Sequence, residues 1–235
     1  MSYDRLVTAD EPDPVRLEVR SAVFRVGPDS ALPDRLGLQV LVIPSSEDGI
    51  GTLPGGDIDV DAELAATALA ALHDQAGIAD VAHLEQLEVF SAPDRVPGGR
   101  TVASTYLGLA RADTPADAGA WHSVDALPAL VADHTAIVAA ARHRLAGKLS
   151  YTNIAFALAP AEFPMSELSE IYGAALGYPV DTTNLLRILS RRAVITATGG
   201  VRRSNGGGRP PALYRFTESS LRVTDEFATL RPPLM

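Results

Sequence analysis

Apolar residues in the first half of the chain follow two different spacings. Runs at 17–26 and 36–44 are rich in β-branched residues, are bounded by Gly, Pro, Asp and Ser, and predict paired strands. An Ala- and Leu-rich segment at 62–76 has helical spacing instead. Two further strand-like runs, at 84–93 and 101–112, follow it. This order predicts a mixed sheet with a helix between its strands.

The pattern becomes helical after these strands. Segments 122–134 and 134–148 predict a short helix and a longer amphipathic one, and Gly147 with Ser150 offers a boundary at their end. A chain of 235 residues also exceeds the usual size of a single domain. We therefore predict two domains, 1–149 and 150–235.

The second predicted domain contains two helices followed by a hairpin. Ser166 is expected to cap the first helix, and Asp181 or Thr182 to cap a second helix that ends near Arg192. The four-residue turn between them makes a helix-turn-helix candidate. Segment 193–217 then predicts two strands around a tip rich in Gly and Arg. This order predicts a winged helix-turn-helix.

Charge is divided unevenly between the two halves. The chain has a formal net charge of -9, yet residues 1–150 hold 11 basic and 22 acidic residues, whereas residues 151–235 hold 9 and 7. Within Thr182–Arg215 there are seven arginines and no acidic residue. The whole-chain charge argues against a nucleic-acid partner, but this basic segment favours one.

Composition removes several classes of protein. The chain has no Cys, which excludes disulfides, thiol catalysis and Cys-bearing zinc sites, and is consistent with a reducing cytosol. The first residues are acidic and lack the apolar core of a signal peptide, and no apolar run reaches the length of a membrane span. We expect a soluble cytoplasmic protein without a membrane partner.

Segment Leu53–Ile78 begins with Leu-Pro-Gly-Gly and ends with Gly-Ile. From Gly56 onwards its spacing resembles, without a gap, the Nudix pattern G-x5-E-x7-R-E-U-x-E-E-x-G-U, where U is aliphatic. Nudix enzymes use the acidic cluster to hold Mg²⁺ and to activate water. Asp74 is the one carboxylate left at these charged positions, so we expect neither a metal site nor catalysis. The other positions carry Ala62, Ala70, Ala71 and Gln75.

A second acidic group lies just before this helix. Asp57, Asp59 and Asp61 have the D-x-D-x-D spacing of a calcium loop, but Ala62 replaces its Gly and Ala68 its final Glu. We interpret the group as a solvated edge. The five His residues have no zinc-binding spacing either.

The loop Pro93–Arg100 adds a candidate ligand site. Its sequence PDRVPGGR resembles a Pro-x-Arg-x-Pro-x-Gly-Arg stretch in Nudix proteins that recognise ADP-ribose. Guanidinium groups suit pyrophosphate oxygens, although an exposed loop without this role fits the residues equally well. The candidate ligand-binding residues are Gly55, Gly56, Arg95 and Arg100.

The predicted helix from Thr182 to Arg192 has two chemically different faces. Polar residues fall within an arc of about 120°, while Leu185, Ile188 and Leu189 point the other way. A helix of this kind fits the major groove, where Arg reads guanine, Asn reads adenine and Thr contacts phosphate. The hairpin tip carries further arginines beside glycines and suits a wing, with Tyr214 and Phe216 as core anchors. The candidate DNA-binding residues are Thr182, Thr183, Asn184, Arg187, Arg191, Arg202, Arg203 and Arg209.

The combination of both halves resembles the NrtR family, the Nudix-related transcriptional regulators of NAD metabolism. The stretches FPMSELSEIYGAALGYPVDTTNLLRILSRR and GGGRPPALYRF carry this resemblance. It implies a Nudix-like domain that binds ADP-ribose or a related metabolite and a winged helix that represses NAD-biosynthesis and salvage genes as a homodimer. Asn184 and Arg187 match the family's recognition helix and Gly208-Arg209-Pro210 its wing. Leu185 and Leu186 stand where an aromatic and a basic residue are often found.

The expected fold class is α+β: a Nudix-like α/β/α sandwich with a mixed sheet, then a winged helix-turn-helix. We expect a repressor that binds double-stranded DNA, senses a small nucleotide-type effector and requires no cofactor. Two alternatives stay open. In the first alternative, the chain is a hydrolase of ADP-ribose or nucleoside diphosphates with an accessory basic domain. In the second, its helical domain binds another protein.

Overall fold

A computed structural model describes residues 14–29, 35–46, 49–202 and 210–225. In that part of the chain the first half builds a seven-stranded sheet in the order β3-β2-β1-β6-β5, with β4 beside β1 and β7 beside β2. β1 and β6 run parallel and the other pairs antiparallel, which confirms the predicted mixed sheet. The strands are β1 (Arg16–Pro28), β2 (Leu36–Pro44), β3 (Gly51–Thr52), β4 (Gly55–Asp57), β5 (His83–Phe90), β6 (Thr101–Leu109) and β7 (Ala120–Ser123).

Helices cover both faces of this sheet. α1 (Leu64–Ala76) packs on one face, where Leu72 contacts the cluster that includes Val23 of β1. α2 (His134–Tyr151) packs on the other face, which carries Phe24 of β1. Successive residues of a strand point to opposite faces, so the central strands bury both sets of side chains. This arrangement confirms the predicted sandwich.

The end of α1 was predicted correctly. Gly77 adopts the left-handed conformation with φ 70°, and its N–H donates to the carbonyl of His73 at 2.9 Å. Glycine reaches this conformation without the strain that a Cβ atom would cause.

Two predictions around α2 were wrong. Segment 122–134 forms no helix, because Ala120–Ser123 pairs with β2 and turns follow it. The helix predicted at 134–148 is also longer than expected, since Gly147 does not interrupt it and α2 ends at Tyr151, one residue after Ser150 of the predicted boundary. One glycine costs a helix only about 1 kcal/mol, and Leu145 and Leu149 on either side are buried.

The second half forms a winged helix-turn-helix, as predicted. A 3-10 turn at Ile154–Ala157 leads into it, and the small sheet has the order β8-β10-β9. Pro164, rather than Ser166, stands at the N-cap position of the first helix, and no side chain caps it there. The elements are β8 (Phe163–Pro164), α3 (Met165–Leu176), α4 (Thr182–Arg191), β9 (Ile195–Val201) and β10 (Ala212–Phe216).

The two halves share one hydrophobic core. Buried side chains form a continuous cluster from Phe24 of β1 through Leu145 of α2 to Leu168 of α3 and Leu189 of α4. The proposed division after residue 149 therefore falls within α2, in a packed region. Within the described residues, no helix combines the length and apolar character needed to cross a membrane.

Candidate nucleic-acid interface and effector loops

α4 has the two faces that its sequence predicts. Leu185 and Leu189 are buried in the shared core, whereas Asn184, Arg187 and Arg191 are exposed. The buried leucines fix the rotation of the helix about its axis, because turning it would expose them and bury the arginines. The polar face is therefore held outward.

Hydrogen bonds organise the first turn of this face. Asp181 caps α4, since its Oδ1 accepts from the backbone N–H of Asn184 at 2.6 Å, as predicted. The Asn184 Oδ1 in turn accepts from Nη2 of Arg187 at 2.7 Å. Residues three apart on a helix are neighbours, and this bond restricts the motion of the long Arg187 side chain. Thr183 is also exposed beside them.

Thr182 has a structural contact that the sequence did not reveal. Its Oγ1 lies 2.8 Å from Oγ of Ser169, a buried residue of α3. This bond ties the start of α4 to the preceding helix. Its hydroxyl is thus already engaged within the protein.

The described part of the hairpin places one of its predicted arginines. Arg202 donates from Nη1 to Oε2 of Glu167 in the first turn of α3, at 2.6 Å. Phe216 packs against Phe163 with ring centroids 5.3 Å apart, and Tyr214 is half-buried against the same core. The aromatic side chains therefore anchor the hairpin. Arg203 and Arg209 lie outside the described residues.

Arg192 lies just after α4 and belongs to the basic segment Thr182–Arg215. Its Nη1 donates to the carbonyl of Ser150 at 2.9 Å and its Nη2 to Oδ2 of Asp225 at 2.6 Å. The first bond connects the end of α4 directly to the last turn of α2. These partners are 42 and 33 residues away in sequence, so no local pattern indicates them.

On the effector side, Gly55 is held by Gln75 of α1. The Gly55 N–H donates to Oε1 of Gln75 at 3.0 Å, and Nε2 of Gln75 donates to the Gly55 carbonyl at 2.7 Å. Gly55 has φ 155°, and a Cβ atom there would collide with the carbonyl of Val19. Gln75 occupies a position where the Nudix pattern has Glu, whose carboxylate could not donate to a carbonyl. The amide fixes the loop instead of facing a metal.

The remaining positions of the motif do not converge on a cation. Ala62 and Ala70 are exposed, and Ala71 is buried against the sheet. Asp74 is exposed and lies 2.7 Å from Nδ1 of His73. Among the described residues no three His, Asp or Glu side chains form a group that could hold a metal ion. Mg²⁺ prefers several oxygen ligands, and this set of side chains does not supply them.

The structure corrects the expected exposure of Arg95. Its side chain is 1% exposed and donates to Oε1 of Glu18 at 2.6 Å and to both oxygens of Asp133 at 2.9 and 2.8 Å. Burial raises the pKa of Glu18, but hydrogen bonds from Arg20 and Arg95 outweigh it and hold that pKa below its usual range. The guanidinium is therefore buried and occupied by two carboxylates.

Arg100 and Gly56, the remaining candidate ligand-binding residues, occupy more open positions than Arg95. Arg100 donates from Nη1 to the carbonyl of Ser91 at 2.6 Å, across its own loop. A Cβ atom at Gly56 would meet nothing within 4 Å. These two residues leave room for a ligand, whereas Arg95 does not.

His134 is a buried residue that the sequence did not single out. Its Nδ1 accepts from the backbone N–H of Leu53 at 3.1 Å and lies 3.2 Å from the Thr52 hydroxyl. Burial, helped by the positive charge of Arg20, lowers the pKa of His134 to about 4. It is therefore neutral at pH 7, with Nδ1 as the acceptor. The first turn of α2 thus contacts the Leu-Pro-Gly-Gly loop as well as Arg95.

Comparisons with known proteins agree with this arrangement. Residues 155–216 match the model of the NrtR DNA-binding winged helix domain. The chain is 30% identical over 221 residues to the ADPR responsive transcriptional repressor NtrR of Acinetobacter baylyi. This match covers 88% of this chain and 84% of that protein.

Solved structures extend the similarity to the whole fold. Shewanella oneidensis NrtR in complex with a 27mer DNA is 26% identical with a TM-score of 0.72, covering 86% of this chain and 93% of that one. A MutT/nudix family protein from Enterococcus faecalis is 19% identical with a TM-score of 0.67, covering 88% of each chain. The second likeness concerns the fold alone.

Proposed function

Since the chain belongs to the NrtR family of transcriptional regulators, we propose that it represses genes of NAD biosynthesis and salvage under the control of ADP-ribose. The observation that carries this proposal is the exposed polar face of α4, where Asn184 orients Arg187 and acidic residues are absent from 182–215. The Acinetobacter relative is named for a response to ADP-ribose, and the Shewanella relative was solved with DNA.

The polar face of α4 enters the major groove in this proposal. Arg187 reads guanine. Asn184 reads adenine, with its side-chain NH₂ donating to N7 and the second lone pair of Oδ1, beside the bond from Arg187, accepting from N6. Thr183 and Arg191 contact the phosphates on either side, and Thr182 supports the turn. The wing adds sequence-independent contacts through Arg202, Arg203 and Arg209.

The effector binds beside α1 without a metal ion. Gly56 allows close approach of its pyrophosphate to the backbone, Gly55 shapes the turn that Gln75 holds, and Arg100 supplies positive charge from the facing loop. Arg95 acts from beneath this loop through Glu18 and Asp133. With Gln75 bound to Gly55 and Asp74 as the remaining carboxylate of the motif, binding without hydrolysis is the function this site supports. No cofactor is required.

The acting species is a cytoplasmic homodimer. Two recognition helices then meet half-sites about one helical turn, roughly 34 Å, apart on double-stranded DNA. The effector favours a dimer arrangement in which the helices no longer match that spacing, so operator affinity falls.

A gel-shift titration with the full chain tests the proposal directly. The probes are the DNA regions upstream of NAD-biosynthesis and salvage genes in its own genome, each with and without ADP-ribose. We expect a retarded complex that ADP-ribose dissociates. Absence of a shift, together with rapid Mg²⁺-dependent release of AMP from ADP-ribose that is lost in Asp74→Ala, would overturn it.

A further inference from the structure

α2 touches both of the proposed effector loops at its first turn and the recognition helix at its last turn. Building on the proposed function, we propose that α2 transmits effector binding to the DNA-binding face, with Asp133 and His134 receiving the signal and the Ser150–Arg192 contact delivering it. The residues at both ends are positioning residues and need not touch either ligand.

At the receiving end, Asp133 stands at the N-cap position of α2 but does not cap it. Both of its carboxylate oxygens bind Arg95 instead, in a bidentate geometry that holds the helix start to loop 93–100. His134 accepts from the Leu53 N–H and so joins the same turn to the loop before α1. The start of α2 is thus fixed by the two segments that bracket the effector.

At the delivering end, the last turn of α2 offers backbone carbonyls to the winged helix. Arg192, which follows α4, donates to the Ser150 carbonyl at 2.9 Å. The Tyr151 carbonyl accepts from the N–H groups of Thr224 and Asp225 at 2.7 and 3.2 Å, and Asp225 also binds Arg192. A displacement of this turn therefore moves the groups that hold the end of α4.

The helix between these ends is suited to carry a displacement. Its 18 residues span about 27 Å at 1.5 Å per residue. Along one face Ile137, Ala141 and Leu145 are fully buried in the core shared by both halves. Close-packed side chains do not deform continuously, so a shift at one end moves the helix as a unit.

The chemistry of the effector supplies the initial displacement. Its phosphates bring negative charge beside loop 93–100, where the Arg95 guanidinium is shared between Glu18 and Asp133. An anion held by Arg100 attracts the Arg95 guanidinium from across this loop without contacting it, and the pair between Arg95 and Asp133 weakens. Release of Asp133 frees the start of α2 from the loop.

The test measures coupling rather than either affinity alone. For each variant, the operator Kd is determined with and without saturating ADP-ribose, and the ratio of the two is the coupling factor. We expect a wild-type factor of at least about fivefold. Asp133→Asn keeps the size of the side chain but weakens the pair with Arg95, and its factor should fall below about twofold. ADP-ribose should still bind this variant.

Asp125→Asn is the matched control. It removes an exposed carboxylate that binds Arg142 of α2 at 2.7 Å. Its coupling factor should equal that of the wild type. Arg192→Gln interrupts the other end of the relay and should also reduce the factor, whatever it does to basal DNA affinity. If Asp133→Asn fails to fold, the coupling factor of Arg192→Gln alone tests whether α2 transmits effector binding.

The possible failures are distinguishable. If folded Asp133→Asn and Arg192→Gln both keep the wild-type factor, the relay through α2 is wrong while the proposed function stands. If the wild-type factor itself is one, the effector does not control DNA binding and the proposed function fails together with this inference.

Discussion

Arg95 and Arg187 are the same residue type in opposite settings. Arg95 is 1% exposed and its guanidinium is shared by two carboxylates from distant elements. Arg187 is exposed, and its partner on the helix is the neutral Asn184. Internal anions neutralise the first charge, whereas the second is left for an external partner. The charge of Arg95 thus holds the N-terminal half together, whereas the charge of Arg187 is presented at the surface.

The difference explains why net charge alone misleads for this chain. Its -9 charge includes carboxylates such as Glu18 and Asp133 that are committed to internal arginines. Buried pairs are screened little by salt, while exposed arginines respond strongly to it. Variants at the two kinds of arginine should therefore separate folding from DNA binding.

The largest effect is expected for Arg95→Ala. Removing this side chain leaves the partly exposed Asp133 without its cation and the buried Glu18 with Arg20 alone, at a cost of about 3–4 kcal/mol in the free energy of unfolding. Chemical denaturation measures it. Arg16→Ala, which breaks an exposed pair with Asp57, is the control and should cost about 1 kcal/mol or less. Equal losses in both variants would contradict the distinction between buried and exposed arginines.

A slightly smaller effect follows from the neutral state of His134. Its pKa is lowered from 6.5 to about 4 in the folded protein, so between these values the unfolded chain binds the additional proton. The free energy of unfolding therefore decreases as the pH falls from 6.5 towards 4. The total decrease is about 3 kcal/mol, at about 1.36 kcal/mol per unit of pKa shift. Denaturation across this range should show a shallower decline for His134→Gln. Parallel profiles would mean that folding does not lower the pKa of His134.

Arg187→Ala should affect DNA binding without affecting the fold. Loss of a base contact weakens operator binding by about 1–3 kcal/mol, enough to abolish the gel shift at limiting protein. ADP-ribose affinity and melting temperature should stay unchanged. Arg142→Ala removes another arginine, on α2, and should leave operator affinity intact. A similar loss in both variants would reduce the role of Arg187 to that of general positive charge.

The smallest effect concerns the wing. Glu167→Gln releases Arg202 from an anion that competes with DNA phosphate, and operator affinity should rise by up to about 1 kcal/mol. Glu218→Gln releases Arg222 in the same way and should have no effect on operator affinity. Anisotropy titrations resolve the difference. An unchanged affinity in Glu167→Gln would indicate that Arg202 does not reach the phosphates.

Local patterns were enough to predict the recognition helix. Asp181 caps it and Leu185 and Leu189 anchor it, and all three follow from spacing within one segment. The strands β1, β2 and β6 were likewise indicated by their own apolar runs. The error at 122–134 arose because pairing with β2, a distant strand, decides the conformation of Ala120–Ser123.

Long-range partners explain what the sequence did not reveal. Arg95 was expected to be exposed, either to a ligand or to solvent, but its side chain is buried against Glu18, 77 residues away, and Asp133, 38 residues away. Gln75 was recognised as a lost ligand, while its two bonds to Gly55 required the folded turn. The Ser150–Arg192 contact depends on how α2 meets α4. Each of these is a tertiary contact without a local signature.

The central claim is that exposed arginines of the C-terminal half bind DNA. The salt dependence of operator binding tests this claim most directly. Anisotropy titrations of the full chain between about 50 and 200 mM salt give the slope of log affinity against log salt. A dimer that neutralises about 8 phosphates predicts a slope near -7. A slope shallower than about -2 would contradict docking of this face on the duplex.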